Sequence, residues 1–251
     1  MPLPLPAPLR DLGRTLLDMA LPPRCLGCGT LVSDPGALCP DCFSGITHLT
    51  RPYCEQCGHP FPVGGLSGPG TLCADCLGDP PAFSRARAVW IYDEGSKPLI
   101  LRFKHADRTD AAPAFARWMS RAGAELITDS PVLVPVPLHP RRLWHRRYNQ
   151  AALLSQSLAR IEGLEHRPLA LVRSRATASQ GHKGQTGRWS NVRGAFAMTK
   201  PEQVEGRPVI LVDDVMTTGA TLNECAKVLL RGGAARVDAL VLARVPLDVS
   251  E

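Results

Sequence analysis

The spacing of apolar residues changes along this chain, and the changes mark its elements. Val209, Ile210, Leu211 and Val212 form an unbroken, mostly β-branched run. Such a run predicts a strand buried on both faces, as in a parallel sheet. Asp213 and Asp214 close it, a loop of Thr, Gly and Ala follows, and Leu222 to Leu230 then repeat with helical spacing. Gly232-Gly233 stops that helix, and Val237 to Ala243 predicts a last buried strand, with Cys225 in the preceding helix as a core residue. Upstream, Arg85–Tyr92 alternates and then turns apolar, a strand. Ser96–Phe103 predicts a helix with Leu99, Ile100 and Phe103 inward. Ala111–Ile127 predicts another, carrying Phe115, Trp118, Met119, Ala122 and Leu126 into the core. Val132–Val136 reads as a short strand among Pro135, Pro137 and Pro140. Arg141–Ile161 reads as mostly helix, basic at its start, and Leu169–Val172 as a strand. Alternating strands and helices predict an α/β fold, a mostly parallel sheet with helices on both faces. Ligands of such sheets sit at the carboxyl ends of the strands.

Two stretches break the alternation. Leu9–Leu21 has the spacing of a short amphipathic helix, so residues 1–23 are expected to form an N-terminal helical segment. Ser174–Gly194 has no apolar period and no acid, contains four glycines, and carries Arg175, Gln180, Lys183, Arg188 and Arg193. Twenty-one such residues inside a compact domain read as a functional lid or as disorder.

Composition adds a second module. Eight of the nine cysteines lie in four Cys-x-x-Cys pairs: Cys25/Cys28, Cys39/Cys42, Cys54/Cys57 and Cys73/Cys76. One pair clamps a metal from one side and two pairs complete a tetrahedral S₄ site. The loops between them are short and rich in Pro and Gly, so residues 24–80 form a module whose folding energy would come from two structural Zn²⁺ ions. The simplest assignment takes the pairs in order, and a crossed pairing stays open. Iron–sulfur clusters use the same ligands, and a disulfide framework is the other alternative. The N-terminus lacks the basic start and apolar run of a secretory signal, which favours a reducing, cytoplasmic setting. No run of eighteen apolar residues exists, so no membrane insertion is expected.

Charge is unevenly placed. The chain carries +6, yet residues 130–201 hold twelve Lys and Arg against Glu162 and Glu165, a net of +10. Such a block attracts a polyanion, either a small diphosphate ester or a nucleic acid. Trp144, Tyr148 and Trp189 interleave with it as candidate stacking platforms.

The loop after Asp214 is where chemistry concentrates. A strand-to-helix loop gathers backbone N–H groups at the positive end of the helix dipole, a phosphate cradle. Thr217, Thr218 and Thr221 add hydroxyls, and Gly219 lets the backbone close on the anion. Two carboxylates on that rim would repel a bare phosphate. They make sense for a ligand that also carries sugar hydroxyls and a metal-chelated diphosphate. An ordinary strand–turn–helix with an Asp pair capping the helix leaves both acids unexplained.

Val209–Leu222 resembles the binding signature of type I phosphoribosyltransferases, which use phosphoribosyl pyrophosphate. The resemblance implies that Asp213 and Asp214 hold the ribose hydroxyls. It implies that Val212, Val215, Met216 and the loop Thr217, Thr218, Gly219, Ala220 and Thr221 hold the 5-phosphate end. The turn Val136, Pro137, Leu138 would offer backbone groups to the diphosphate. Lys104, Arg141, Arg142 and the lid residues Arg175, Gln180, Lys183, Arg188 and Arg193 would supply polar or positive groups. Mg²⁺ would accompany the ligand. As a whole the chain is similar to the ComF/GntX family, which joins an N-terminal double zinc ribbon to a type I phosphoribosyltransferase domain, here residues 81–251. The likeness includes Pro135–Pro140, Arg146–Gln150 and Asn191–Phe196. Arg147 stands where that family usually has Gly, and Lys104-His105 where it usually has Lys-Tyr. The resemblance implies phosphoribosyl transfer to an unnamed acceptor and a role in DNA uptake and natural transformation. The competing expectation is a catalytically silent single-stranded nucleic-acid-binding protein of the competence machinery. A third makes the ribbon a docking surface for a helicase-like partner.

Overall fold

The computed structural model describes residues 22–62, 68–105, 108–175 and 192–246. The helix expected over Leu9–Leu21 and the middle of the expected lid lie outside them. By packing, the chain divides into two compact units, one up to Gly45 and one from Ile46 onward.

The first unit carries Cys25, Cys28, Cys39 and Cys42 and one short helix, α1 (Pro40–Ser44), which starts on Cys39. Its knuckle closes by a Gly29 N–H bond to the Cys25 carbonyl, with Gly29 at φ 83°.

The second unit begins with the other four cysteines and α2 (Ala74–Gly78), then winds a four-stranded parallel sheet. Its order is β1 (Ala86–Ile91), β6 (Arg236–Arg244), β5 (Pro208–Met216), β2 (Val132–Pro135). The edge is extended beyond β2 by residues 165–167, which exchange backbone hydrogen bonds with Leu133. The strands follow from their composition: β5 and β6 are Val/Ile/Leu-rich, with β6 buried nearly throughout and β5 buried from Val209 to Val212.

Side chains alternate across this sheet. Val209, Leu211, Val237, Ala239 and Val241 meet Leu222, Cys225, Ala226 and Leu229 of α7 (Ala220–Arg231) on one face. On the other, α4 (Ala112–Ala122) packs on β1 and β6, and α6 (Gln150–Glu162) on β2 and β5. Trp90 is fully buried there, edge-on to Phe115 and Trp118. A small antiparallel pair, β3 (Leu171–Arg173) and β4 (Phe196–Met198), brackets the expected lid.

Most boundaries shift by two residues or fewer, and three differences from the sequence expectation are larger. The strand expected to stop at Val212 runs on to Met216, because β6 keeps pairing with it through Asp213, Val215 and Met216. The helix expected to reach Ile127 stops at Ala122. Gly123 then lies so close to β6 that an added Cβ would sit 2.6 Å from the Leu240 side chain. The helix expected over 141–161 is two helices, α5 (Pro140–Arg146) and α6. Between them Arg147 is left-handed at φ 63°, and the Asn149 side chain caps α6 by accepting from the Ala151 N–H at 3.1 Å. Pro140 at the first turn of α5 suits a helix start there. The remaining helix of this unit, α3 (Ser96–His105), follows β1. Among the described residues, no helix is long and apolar enough to cross a membrane.

Candidate functional site

Both acids lie within the last turn of pleat of β5. The Asp213 carboxylate accepts from the Asp214 N–H at 2.9 Å, and Asp214 forms a 3.1 Å ion pair with Lys104 at the end of α3. Burial, and then the negative charge of Asp214, push the Asp213 carboxyl up to about 7. Lys104, expected to supply positive charge, pairs with Asp214.

After Met216 the loop turns through Thr217 and Thr218 to Gly219 at φ 79°, a conformation that favours glycine. Helix α7 starts at Ala220 with no side-chain cap from Gly219, while the Thr218 hydroxyl accepts from the Ala220 N–H at 3.4 Å. The first N–H groups of a helix have no intrahelical partner. Thr217–Thr221 therefore offer donors at the positive end of a twelve-residue helix.

The facing wall is the turn after β2. The Val136 N–H donates to the Val212 carbonyl at 2.9 Å, so this turn sits beside the acids. Three consecutive residues lock the wall in place. Tyr148 donates its hydroxyl to the Phe103 carbonyl at 2.6 Å, Asn149 its amide to the Val136 carbonyl at 3.0 Å, and Gln150 its amide to the Lys104 carbonyl at 3.2 Å. Tyr148, an expected stacking platform, ties the turn between α5 and α6 to α3 through this hydroxyl. Pro137 and Leu138 lead into α5, whose first turn holds Arg141, exposed, and Arg142, half-buried. Burial, and then the charge of Arg146, lower the pKa of Arg142.

The lid residues are partly described. Arg175 donates to the Arg193 carbonyl at 2.8 Å, tying the two ends of the segment together. Gln180, Lys183 and Arg188, with Trp189, lie outside the described residues. Two residues were not singled out by sequence reasoning. Arg173 ends β3, is almost fully buried, and stacks its guanidinium 5.2 Å from the Phe196 ring. Its charge acts on Asp213. A basic residue ending a strand at the mouth of a basic lid was the available signal. Arg244, at the end of β6, donates to the Thr217 carbonyl. A charged residue closing the apolar run Ala239–Ala243 was the cue there.

The cysteines form two separate centres. The sulfurs of Cys25, Cys28, Cys39 and Cys42 lie within 4.8 Å of one another, and so do those of Cys54, Cys57, Cys73 and Cys76. The pairs are taken in order, and the crossed arrangement is excluded. Sulfurs 3.6 Å apart, as for Cys28 with Cys39 and Cys57 with Cys73, suit a tetrahedral zinc with bonds of about 2.3 Å. Backbone N–H groups point at the sulfurs, Gly27 and Cys39 at Cys25, Cys57 and Cys73 at Cys54, as thiolates require. Both sites are closed S₄ sets, so their zinc is structural. Cys225 is buried in α7 and takes no part.

A double zinc ribbon ahead of a parallel sheet with an acid pair and a Thr/Gly loop defines a phosphoribosyltransferase-like protein with zinc ribbons. The family model of the double zinc ribbon domain matches residues 16–80, and that of the phosphoribosyl transferase domain matches 151–250. The DNA utilization protein YhgH of Escherichia coli (strain K12) is 36% identical over 227 residues, spanning 88% of this chain and 89% of that protein. Competence protein F of Haemophilus influenzae is 32% identical over 228 residues, 88% of this chain and 96% of that one. Competence protein ComFC of Bacillus subtilis is 32% identical over 209 residues, 82% and 84% of the two chains. The chain belongs to the ComF/GntX family.

Proposed function

We propose that this protein binds phosphoribosyl pyrophosphate with Mg²⁺ at the carboxyl end of β5 and transfers the phosphoribosyl group to an acceptor. The observation that carries this reading is the junction of an acid pair with the N-terminus of a twelve-residue helix, one short loop beyond the end of the same strand. The loop Thr217–Thr221 takes the 5-phosphate on backbone N–H groups and hydroxyls. Asp213 and Asp214 accept from the ribose 2- and 3-hydroxyls. Val136–Leu138, Arg141, Arg142 and Arg173 face the diphosphate, with Arg175 and Arg193 at the base of a closing lid. Displacing diphosphate from C1 places positive charge on the sugar ring and negative charge on the leaving group. Fixed cations and exclusion of water favour that separation. Mg²⁺, when bound with the substrate, adds charge neutralisation on the diphosphate. Lys104 releases Asp214 when a sugar hydroxyl replaces it.

Calorimetric titration with phosphoribosyl pyrophosphate and Mg²⁺, repeated on Asp213→Asn/Asp214→Asn, tests binding. Saturable heat in the wild type and its loss in the double variant is the expected result; no heat in the wild type refutes the reading. Diphosphate release screened over candidate acceptors tests turnover. The relatives named for competence and DNA utilization support a role in handling incoming DNA, and the reduced cysteine centres support the cytoplasm as its place.

A second reading, binding of single-stranded DNA by a protein that does not turn over, has one specific observation in its favour. Trp144 is 83% exposed and lines an open groove of about 700 Å³ with Pro140, Leu143 and Arg147. An aromatic face beside arginines is a stacking platform for bases. Anisotropy of labelled single strands should fall steeply with salt and be weakened by Trp144→Ala. Salt-insensitive binding removes this reading.

A further inference from the structure

Arg244 is almost fully buried, 2% exposed, yet it faces no carboxylate at hydrogen-bonding distance among the described residues. Its guanidinium instead gathers three backbone carbonyls. Nε donates to the Cys57 carbonyl at 3.3 Å, and Nη1 donates to the Thr217 carbonyl and, at 2.8 Å, to the Val245 carbonyl. Cys57 is a ligand of the second zinc centre, and Thr217 opens the phosphate loop. These two segments are 160 residues apart in sequence and flank one cavity of about 370 Å³, lined also by Met216, Thr218, Gly219 and Phe83. Across that gap the guanidinium is a polar strut.

Amide geometry gives the strut its consequence. A trans peptide is planar, so its C=O and N–H point in opposite directions. Drawing the Thr217 carbonyl toward Arg244 turns the Thr218 N–H the other way, away from the strut. Holding the Cys57 carbonyl likewise fixes the Cys57–Gly58 peptide, whose N–H closes the knuckle on the Cys54 carbonyl at 2.9 Å. One side chain therefore sets a peptide plane in the phosphate loop and another in the metal knuckle. The knuckle is independently fixed to the sheet. The Ala86 N–H donates to the Gln56 carbonyl at 2.7 Å, and Arg87 donates to the Glu55 carbonyl at 2.9 Å. A Cβ added at Gly58 would meet the Ala86 carbonyl oxygen at 2.7 Å. Arg244 thus links the position of a fixed zinc knuckle to the first peptide of the phosphate loop.

We propose that Arg244 is a positioning residue that couples the second Cys₄ zinc centre, and not the first, to the phosphate loop of the phosphoribosyl site. It holds the loop amide toward the ligand and makes zinc retention at Cys54, Cys57, Cys73 and Cys76 depend on loop occupancy. The inference rests on the ligand reading above. Coupling of this kind is reciprocal: the factor by which zinc favours the ligand is the factor by which the ligand favours zinc.

The test uses the full chain loaded with two zinc ions. Zinc transfer to a chromogenic chelator is followed with and without phosphoribosyl pyrophosphate and Mg²⁺, alongside calorimetric affinity for the same ligand. In the wild type, one zinc equivalent is expected to leave about tenfold more slowly with ligand, and the other at an unchanged rate. That factor is the scale of one lost charge-assisted hydrogen bond. Arg244→Met should keep both zinc ions, bind the ligand about tenfold more weakly, and lose the protection. Arg244→Lys, which keeps a charged donor, should recover part of both. A merely structural arginine would lower thermal stability and leave the ratio of zinc-release rates intact. If the wild type binds ligand but protects neither zinc, or both equally, the coupling is refuted while the ligand reading stands. If Arg244→Met fails to fold, Arg244→Lys decides: protection and affinity reduced together support the coupling through Arg244, and both unchanged from the wild type refute it. Absent ligand binding in the wild type refutes the ligand reading and the coupling together.

Discussion

Asp213 is the residue whose chemistry is most altered by its place. Its carboxyl is pushed up to about 7, first by burial and then by Asp214, against the attraction of Lys104 and Arg173. In the unfolded chain the same group titrates near 4. Between about pH 4 and 7 the unfolded chain has lost this proton and the folded chain keeps it, so folding stability falls as pH rises through that window. The slope from this one group is at most about 1.4 kcal/mol per pH unit. Denaturant titrations from pH 4 to 8 should show this decline in the wild type and a flatter profile in Asp213→Asn. Sugar hydroxyls need the ionised form as acceptor, so affinity for phosphoribosyl pyrophosphate is expected to rise with pH up to about 7 and then level off. The ratio of wild-type to Asp213→Asn affinity isolates that effect from the titration of the ligand. Gly219 gives a second residue-scale prediction. At φ 79°, with an added Cβ 2.7 Å from the Met216 methyl group, alanine costs about 1 kcal/mol in backbone strain and displaces Met216. Gly219→Ala should reduce ligand affinity by more than tenfold, about 1.4 kcal/mol, and leave the far-ultraviolet circular dichroism unchanged. The acid pair and this glycine were legible in the sequence because strand, acids, loop and helix are contiguous there. The shifted proton was not, since its first cause is burial, and burial is set by elements that pack around Asp213 from elsewhere in the chain.

At the scale of elements, periodicity located the four strands of the main sheet and the helices that cover it, and it failed where a single backbone conformation intervened. The apolar spacing of 141–161 is continuous enough to suggest one helix, and nothing in the hydrophobic pattern marks the reversal at Arg147. The structure supplies the reason that the related family favours glycine there: the residue must be left-handed. Arg147 is exposed at this turn, so its side chain contributes little to offset the strain. Arg147→Gly is expected to stabilise the protein by up to about 1 kcal/mol, read as a shift of the urea midpoint with an unchanged slope. Arg147→Val should shift the midpoint the other way. The break is what makes the site: it frees Asn149 to cap α6 while its amide fixes Val136, and it sets Gln150 under Lys104. The short pair β3–β4 was half-missed for a related reason. Three-residue strands carry too little pattern, and their pairing across a long insertion is a tertiary fact.

For the whole molecule, the sequence showed two kinds of folding energy, a metal-dependent module and an apolar α/β core, and invited a boundary between them near residue 80. Packing draws the line elsewhere. The second Cys₄ centre is built into the core of the larger unit: Cys54, Cys57, Cys73 and Cys76 are buried in one cluster with Phe83, Ala86, Ala88 and Met216. Charge seals the same junction, where Arg87, 3% exposed, donates to the Glu55 backbone and pairs with Glu55 at 2.8 Å and with Glu125. Cysteine spacing announces ligands but not what they are packed against, so this dependence was invisible in the chain. It carries a stability prediction. Loss of one ligand thiolate at this centre removes a metal whose binding energy is of the order of 10 kcal/mol and leaves buried sulfurs without partner. Cys73→Ser should therefore lower the melting temperature of the Ile46–Glu251 unit by about 10 °C or more, measured by calorimetry on the full chain in zinc-containing buffer. Chelator treatment of the wild type should produce the same loss in that transition, and added zinc should restore it in the wild type but not in Cys73→Ser. A transition of the sheet domain indifferent to both treatments would mean that the ribbon merely rests on the domain, and that the apolar core alone sustains the loop and its acids.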